Sequence, residues 1–292
     1  MSLALALALA AAPLAPAAPP LQDPPAEGDE VVRLAAWPEL ARDTLETVRT
    51  DIARLRKART PEMGEEAEAA LITIGAGVVP ELLPSLGKER DADARARVER
   101  VLSRVTDARH TRLLAAQFED RSVEVRSFCL ARVSAFPDPG VREAAEAAWA
   151  RVAKAGAKAD KDERFAAALC AASAGSVVGF EELAARAEKR WGDDGSAIRA
   201  ALQGARGPEA AERAAALLEG QRAQVVAGLN LLAACGTQES AKAVKPFLDS
   251  DDHQIRVAAI NALRGMVDGE GPIDKLPVFE AIDLAKQWKN RI

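Results

Sequence analysis

Two histidines and three cysteines carry most of the nucleophilic and soft metal-ligating capacity of this 292-residue chain. A hydrolytic site needs a nucleophile and a base, so any such site would rest on His110 or His253. His110 follows Asp107-Ala108-Arg109, and His253 follows Asp251-Asp252. Both are expected at solvated helix starts, where nothing holds a nucleophile beside them. Cys129, Cys170 and Cys235 lie far apart, and each has apolar neighbours (Phe128 and Leu130, Leu169, Ala234). The odd count and wide spacing argue against a disulfide framework. The expectation is three buried free thiols acting as small hydrophobes. A zinc site takes about four close ligands, and none converge. The chain has no G-x-x-x-x-G-K phosphate loop and no C-x-x-C-H haem attachment. No catalytic residue, metal ligand or cofactor is therefore assigned.

Carboxylates cluster at Glu62/Glu65/Glu66/Glu68, at Asp193/Asp194 and at Asp249/Asp251/Asp252. Each cluster precedes or opens an apolar-periodic stretch, where acids cap free amides and favour the helix dipole. The basic run Arg54-Leu55-Arg56-Lys57-Ala58-Arg59 sits where cations favour a helix C-terminus. Lys and Arg total 39 against 44 Asp and Glu, a net charge of −5. That balance excludes a protein that coats nucleic acid with a clustered cationic face.

The elements that must position these groups are helical. The sequence is 49% hydrophobic with 11 aromatics (4 Trp, 7 Phe, no Tyr). Alanine, the strongest helix former, dominates it. An all-α fold follows. Residues 1–17 form an apolar run too short and too Pro-broken for a span of ~20 residues. They are expected to be a signal peptide with an Ala15-Pro16-Ala17 cleavage site, which implies export to the periplasm or beyond. Without a preceding Lys or Arg, the run also fits a low-complexity tail. Residues 18–30, rich in Pro and acids, read as a flexible linker. No membrane span is expected in the mature chain.

Self-similarity runs through the middle of the chain. An Asp precedes an Arg by six residues at Asp91/Arg97, Asp120/Arg126 and Asp193/Arg199. Each Arg opens a small-apolar helix. Arg256 does so too, with Ser250 in the Asp position, and Arg164 marks a further copy with Lys158 there. Gly228–Leu232 overlays Ala259–Leu263 at an offset of 31 residues. Partner helices lie between, punctuated by Gly75, Gly140, Gly207-Pro208 and Gly236. A period of roughly 30–38 residues with two helices per unit predicts an α-solenoid. It holds about six antiparallel pairs over 62–266.

Flanking helices are predicted at both ends. In 31–61 the apolar positions Ala41, Leu45, Val48, Ile52 and Leu55 step by 4 and 3, a short seam. It caps the array or, alternatively, dimerises. Residues 267–292 form a C-terminal cap that holds Val278, Ile282, Leu284, Ala285 and Trp288, with Trp288 closing the open end of the core. A monomer is expected.

Ala67–Leu86 and the Asp-x5-Arg units resemble the HEAT-repeat family in its short bacterial form, named after bilin lyases, over roughly 62–266. The resemblance implies a superhelix whose Asp and Arg form an inter-repeat ladder of Asp91, Arg97, Asp120, Arg126, Asp193, Arg199 and Arg256, imperfect at Arg164 and Arg256. It also implies a concave face, lined by the second helices, that binds a protein or peptide. Iron-binding hydroxylases of similar architecture use His-Glu pairs, and here Thr111 follows His110 and Gln254 follows His253. The alternative is a lyase-like or enzyme-accessory protein holding a small molecule in the same groove. The residues that would bind the partner remain unassigned.

Overall fold

A computed structural model describes residues 31–292. The expected signal peptide and linker lie outside the described residues. Among those residues there are fourteen α-helices and no strand. The all-α class is thus observed. In chain order the helices are α1 (Arg42–Lys57), α2 (Pro61–Ile74), α3 (Val79–Leu86), α4 (Ala92–Val105), α5 (Thr111–Ala115), α6 (Val123–Ser134) and α7 (Arg142–Ala155). They continue with α8 (Lys161–Ser173), α9 (Phe180–Gly204), α10 (Pro208–Ala216), α11 (Arg222–Cys235), α12 (Ala241–Val244), α13 (His253–Leu263) and α14 (Val278–Arg291). Helix α9 breaks at Arg190, whose φ of −141° is not helical.

Side-chain caps fix where several helices begin. Thr60, Asp91, Ser122, Asp160 and Asp252 each accept main-chain N–H groups at the starts of α2, α4, α6, α8 and α13. These oxygens satisfy amides that have no partner inside the helix. Pro61 and Pro208 occupy first turns, where their missing N–H costs nothing. Gly75 ends α2 with a φ of +86°, a conformation disfavoured for other residues.

A series of helices stacks in sequence: α6 on α8, α8 on α9, α9 on α11 and α11 on α13. Helices α5, α7, α10 and α12 each pack against the next helix in that series. One apolar core runs from α1 to α8 and a second from α8 to α14. They meet at α8, whose residues Ala166–Ser173 are all buried. A helix that is apolar all round belongs inside. Its run of alanines lets neighbours approach from both sides.

At the N-terminal end, Val48, Ile52 and Leu55 of the α1 seam are buried, while Ala41 is exposed and Leu45 half-buried. Helices α2, α3 and α4 of the same chain pack against α1. At the C-terminal end, Ala281, Ala285 and Trp288 of α14 are buried over α13. Val278 is about half exposed and Phe279 is 83% exposed. Val278 shares the 281/285/288 stripe but sits in the first turn of the helix, where it is less covered. No single described helix is long and apolar enough to cross a membrane.

Candidate functional site

Among the described residues, no group of three or more His, Cys, Asp or Glu could hold a metal ion. His110 is not solvated as the sequence suggested. It is 2% exposed and stacks on Trp37 at 5.3 Å between ring centroids. Its Nδ1 accepts the main-chain N–H of Asp107 at 3.1 Å, closing a capping box. The ring is thus a structural plug that joins residue 37 to the α4–α5 turn. The signal missed was the lone Trp37, which gives the imidazole an apolar face to cover. His253 is half-buried at the first turn of α13, and its Nδ1 has no hydrogen-bond partner.

All three thiols are buried and unpaired. Burial pushes Cys170 and Cys235 up to about 12 and Cys129 higher still. The nucleophilic thiolate is therefore suppressed. Thiol reagents are expected to label the native protein slowly, at the rate of its unfolding, and to label three groups after denaturation. A thiol that reacts within seconds in the native state would restore a redox role for that cysteine.

Members of each acidic cluster are engaged in ion pairs, while Glu62, Glu65, Glu66 and Asp251 are exposed. Asp252 caps α13 and pairs with Arg222. Asp249 pairs with Lys289. Glu68 pairs with Arg100 at 2.6 Å. Asp193 and Asp194 pair with Arg190 at 3.2 and 3.8 Å. In the basic run, Arg54 pairs with Asp51 at 3.3 Å and Arg56 with Glu89 at 2.6 Å.

The residues of the expected Asp–Arg ladder are present but partnered differently. Asp91 caps α4, accepting from Ala94 N–H at 2.7 Å, and Arg97 donates to the Leu55 carbonyl at the end of α1 at 2.9 Å. Asp120 accepts from Ser122 N–H at 2.7 Å. Arg126 does reach back six residues, but to the main-chain carbonyl of Asp120 at 2.7 Å. Arg256 does the same to the Ser250 carbonyl at 2.6 Å. The acceptor is main chain, so Ser250 serves as well as an aspartate. Asp193 is spent on Arg190, and Arg199 forms no hydrogen bond with it. Arg199 instead lies over the Trp191 ring at 5.6 Å, and its Nε is buried without a partner.

Asp120→Asn is expected to leave the melting temperature within about a degree, because the amide oxygen still accepts from Ser122 and the carbonyl still serves Arg126. Arg126→Ala is expected to lower it by several degrees, since hydrogen bonds to charged groups contribute about 1.5–3 kcal/mol. A large loss in Asp120→Asn would reinstate the carboxylate as the partner.

What the sequence missed is a buried ionic centre. Glu163 of α8 is 4% exposed and accepts from Arg126 of α6 at 2.6 and 2.9 Å and from Arg151 of α7 at 2.6 Å. Burial alone would push its carboxyl up. The hydrogen bonds and charges of both arginines outweigh that and hold it below the usual glutamate range. Arg151 also donates to the Phe118 carbonyl at 2.7 Å. Four consecutive segments thus meet at one carboxylate. Arg206 is a second staple: it donates to the Gly236 and Met266 carbonyls at 3.1 and 2.9 Å, closing the ends of α11 and α13.

One surface is built from repeated positions. Arg199, Asn230 and Asn261 follow one another at intervals of 31 residues on α9, α11 and α13. Segment 270–277 returns along α13 between that helix and α14. The Asn261 side chain accepts the Ile273 N–H at 2.9 Å and donates to the Ile273 carbonyl at 3.3 Å. Leu276 is buried in the core, and a cleft of about 470 Å³ lies between 274–277 and His253, Gln254 and Val257. Burial lowers the Arg199 pKa, and the charge of Asp274 works against that shift.

No protein-family model matches this sequence. No curated protein compared with it matches either. A crystal structure of an engineered protein is similar over 78% of this chain and 99% of its own, at 18% identity and a TM-score of 0.31.

Proposed function

We propose that this chain is a non-catalytic scaffold of the HEAT-repeat type: an exported α-solenoid of helix pairs whose second helices present a binding face to a protein or peptide. The observation that supports it is the spacing of the polar links between helices. Arg49–Glu81, Arg100–Glu68 and Arg213–Glu181 each join residues 32 apart, and Arg222–Asp252 joins residues 30 apart. A pairing that recurs at one repeat length is the mark of units that each contact their neighbours. A stack of such units builds an extended surface more readily than one deep cleft. The reading includes no bound cofactor, no nucleic-acid partner, a monomeric state and export by the N-terminal segment.

The experiment is cross-linking of the mature chain, from residue 18, to native extract, with the cross-linked sites located by mass spectrometry. Cross-links from one partner protein concentrated on α4, α6, α8, the part of α9 after its break at Arg190, α11 and α13 are expected. Cross-links confined to α3, α5, α7, α10 and α12 would overturn the assignment of the face. A small molecule that co-purifies with the chain in stoichiometric amount would favour the enzyme-accessory alternative.

A further inference from the structure

The 270–277 segment displays how the second helices hold a non-helical peptide. Asn261 satisfies both main-chain groups of one residue, Ile273. That contact ignores side-chain identity and reads only backbone, as a buried peptide unit requires. Along α13 and into the turn that follows it, Val257, Asn261 and Arg264 are half-buried. Along α11 the residues 31 positions earlier, Val226, Asn230 and Ala233, are likewise half-buried while their neighbours are buried. The two asparagines therefore share one face of consecutive, directly packed helices. Asn261 is occupied. The Asn230 side chain makes no hydrogen bond and is partly open to solvent. One helix further on, at the same interval, Arg199 is braced by Trp191 and has a buried Nε without an acceptor. A charged group so placed gains most from a carboxylate that completes its bonds.

From these positions we infer that the Arg199–Asn230 face binds a non-helical peptide segment, with Asn230 holding both main-chain groups of one residue and Arg199 taking an acidic side chain of the same segment. The inference rests on the scaffold reading and specifies where its partner docks and what that partner presents. The chain's own Ile273-Asp274 pair is the pattern for the ligand: an apolar residue clamped by its backbone, then an aspartate in the field of the arginine. Stacked helices lie 8–10 Å apart and an extended chain rises about 3.3 Å per residue. The aspartate of the bound peptide is thus expected within about three residues of the clamped one. The nearby acids Asp274 and Asp193 leave Arg199 uncompensated, since one acts only through its field and the other pairs with Arg190.

The test uses the full chain and a fluorescein-labelled synthetic peptide of sequence Glu-Gly-Pro-Ile-Asp-Lys-Leu-Pro, a copy of residues 270–277, followed by fluorescence anisotropy. Saturable binding is expected. Asn230→Ala should weaken it about tenfold, the loss of two modest hydrogen bonds. A peptide with Asn in place of Asp should also bind about tenfold more weakly to the native chain, yet equally well to Arg199→Gln. That coupling is a readout that a merely destabilised variant would not give. Thermal melts of both variants report their folding, and Asn230→Ala should melt close to the native chain because it removes no side-chain hydrogen bond. Absence of binding, or equal binding by the native chain and both variants, would overturn the inference. A partner cross-linked elsewhere on the second helices, with no peptide bound here, would sink this site while leaving the scaffold reading intact.

Discussion

Replacing Glu163 with alanine is expected to destabilise the fold by about 3 kcal/mol, measured as a shift of the urea midpoint with an unchanged slope. The carboxylate is the single anion shared by Arg126 and Arg151, which are 17% and 36% exposed at their side chains. Removing it leaves two guanidinium groups facing each other across three helices. Breaking a buried ion pair from one side typically costs about 3–5 kcal/mol. The lower end applies here, because both arginines retain some access to water. Glu163→Gln should cost less, since the amide oxygen still accepts one guanidinium. An alanine variant as stable as the native protein would remove the network from the list of things that hold α6, α7 and α8 together.

The same carboxylate sets a pH dependence. Its folded-state pKa lies below the ordinary glutamate value, so its contribution is present above the unfolded pKa of about 4.3. It is lost as pH falls through the depressed folded value. Native Glu163 and the Gln variant are therefore expected to converge in stability below about pH 4. They should differ by a constant amount from about pH 6 upward. A difference that persists undiminished at low pH would mean that the ionised form is not what stabilises the fold.

Gly265→Ala is the second large effect, expected at about 1–3 kcal/mol and read as a lowered melting temperature. Gly265 is buried in a π turn, Arg264–Asp268, that follows α13. A Cβ there would stand 2.1 Å from the Ala233 carbonyl oxygen. The neighbour is helix backbone, which cannot rotate aside as a side chain would. One of the two helix ends must therefore shift, and Arg206, which bonds carbonyls at both, resists that shift. An alanine variant that melts like the native protein would show that α11 and α13 slide freely at this joint.

Much of the helical organisation was legible in the residues. Alanine content, capping acids such as Asp252, and glycine at helix ends are local signals, and each acts within one turn of where it is written. The interval of 31 residues between Gly228–Leu232 and Ala259–Leu263 was legible for the same reason: it repeats a local pattern. The cysteines were legible because an apolar neighbourhood along a helix predicts an apolar neighbourhood in space.

Partner choice among charged side chains was not legible. Arg126 could be matched to Asp120 by the six-residue spacing, yet its carboxylate partner is Glu163, 37 residues away. An arginine side chain is long enough to choose among several acceptors, and which one lies within reach depends on how α6, α7 and α8 cross. His110 shows the same limit: its position after Asp107 places it at a helix start, but only the return of Trp37 against that turn buries it. The sequence by itself determined the all-helical class, where several helices start or end, and that the thiols face inward. Only the tertiary structure decided which guanidinium meets which oxygen, because that match depends on distances between helices whose separation along the chain says nothing about their separation in space.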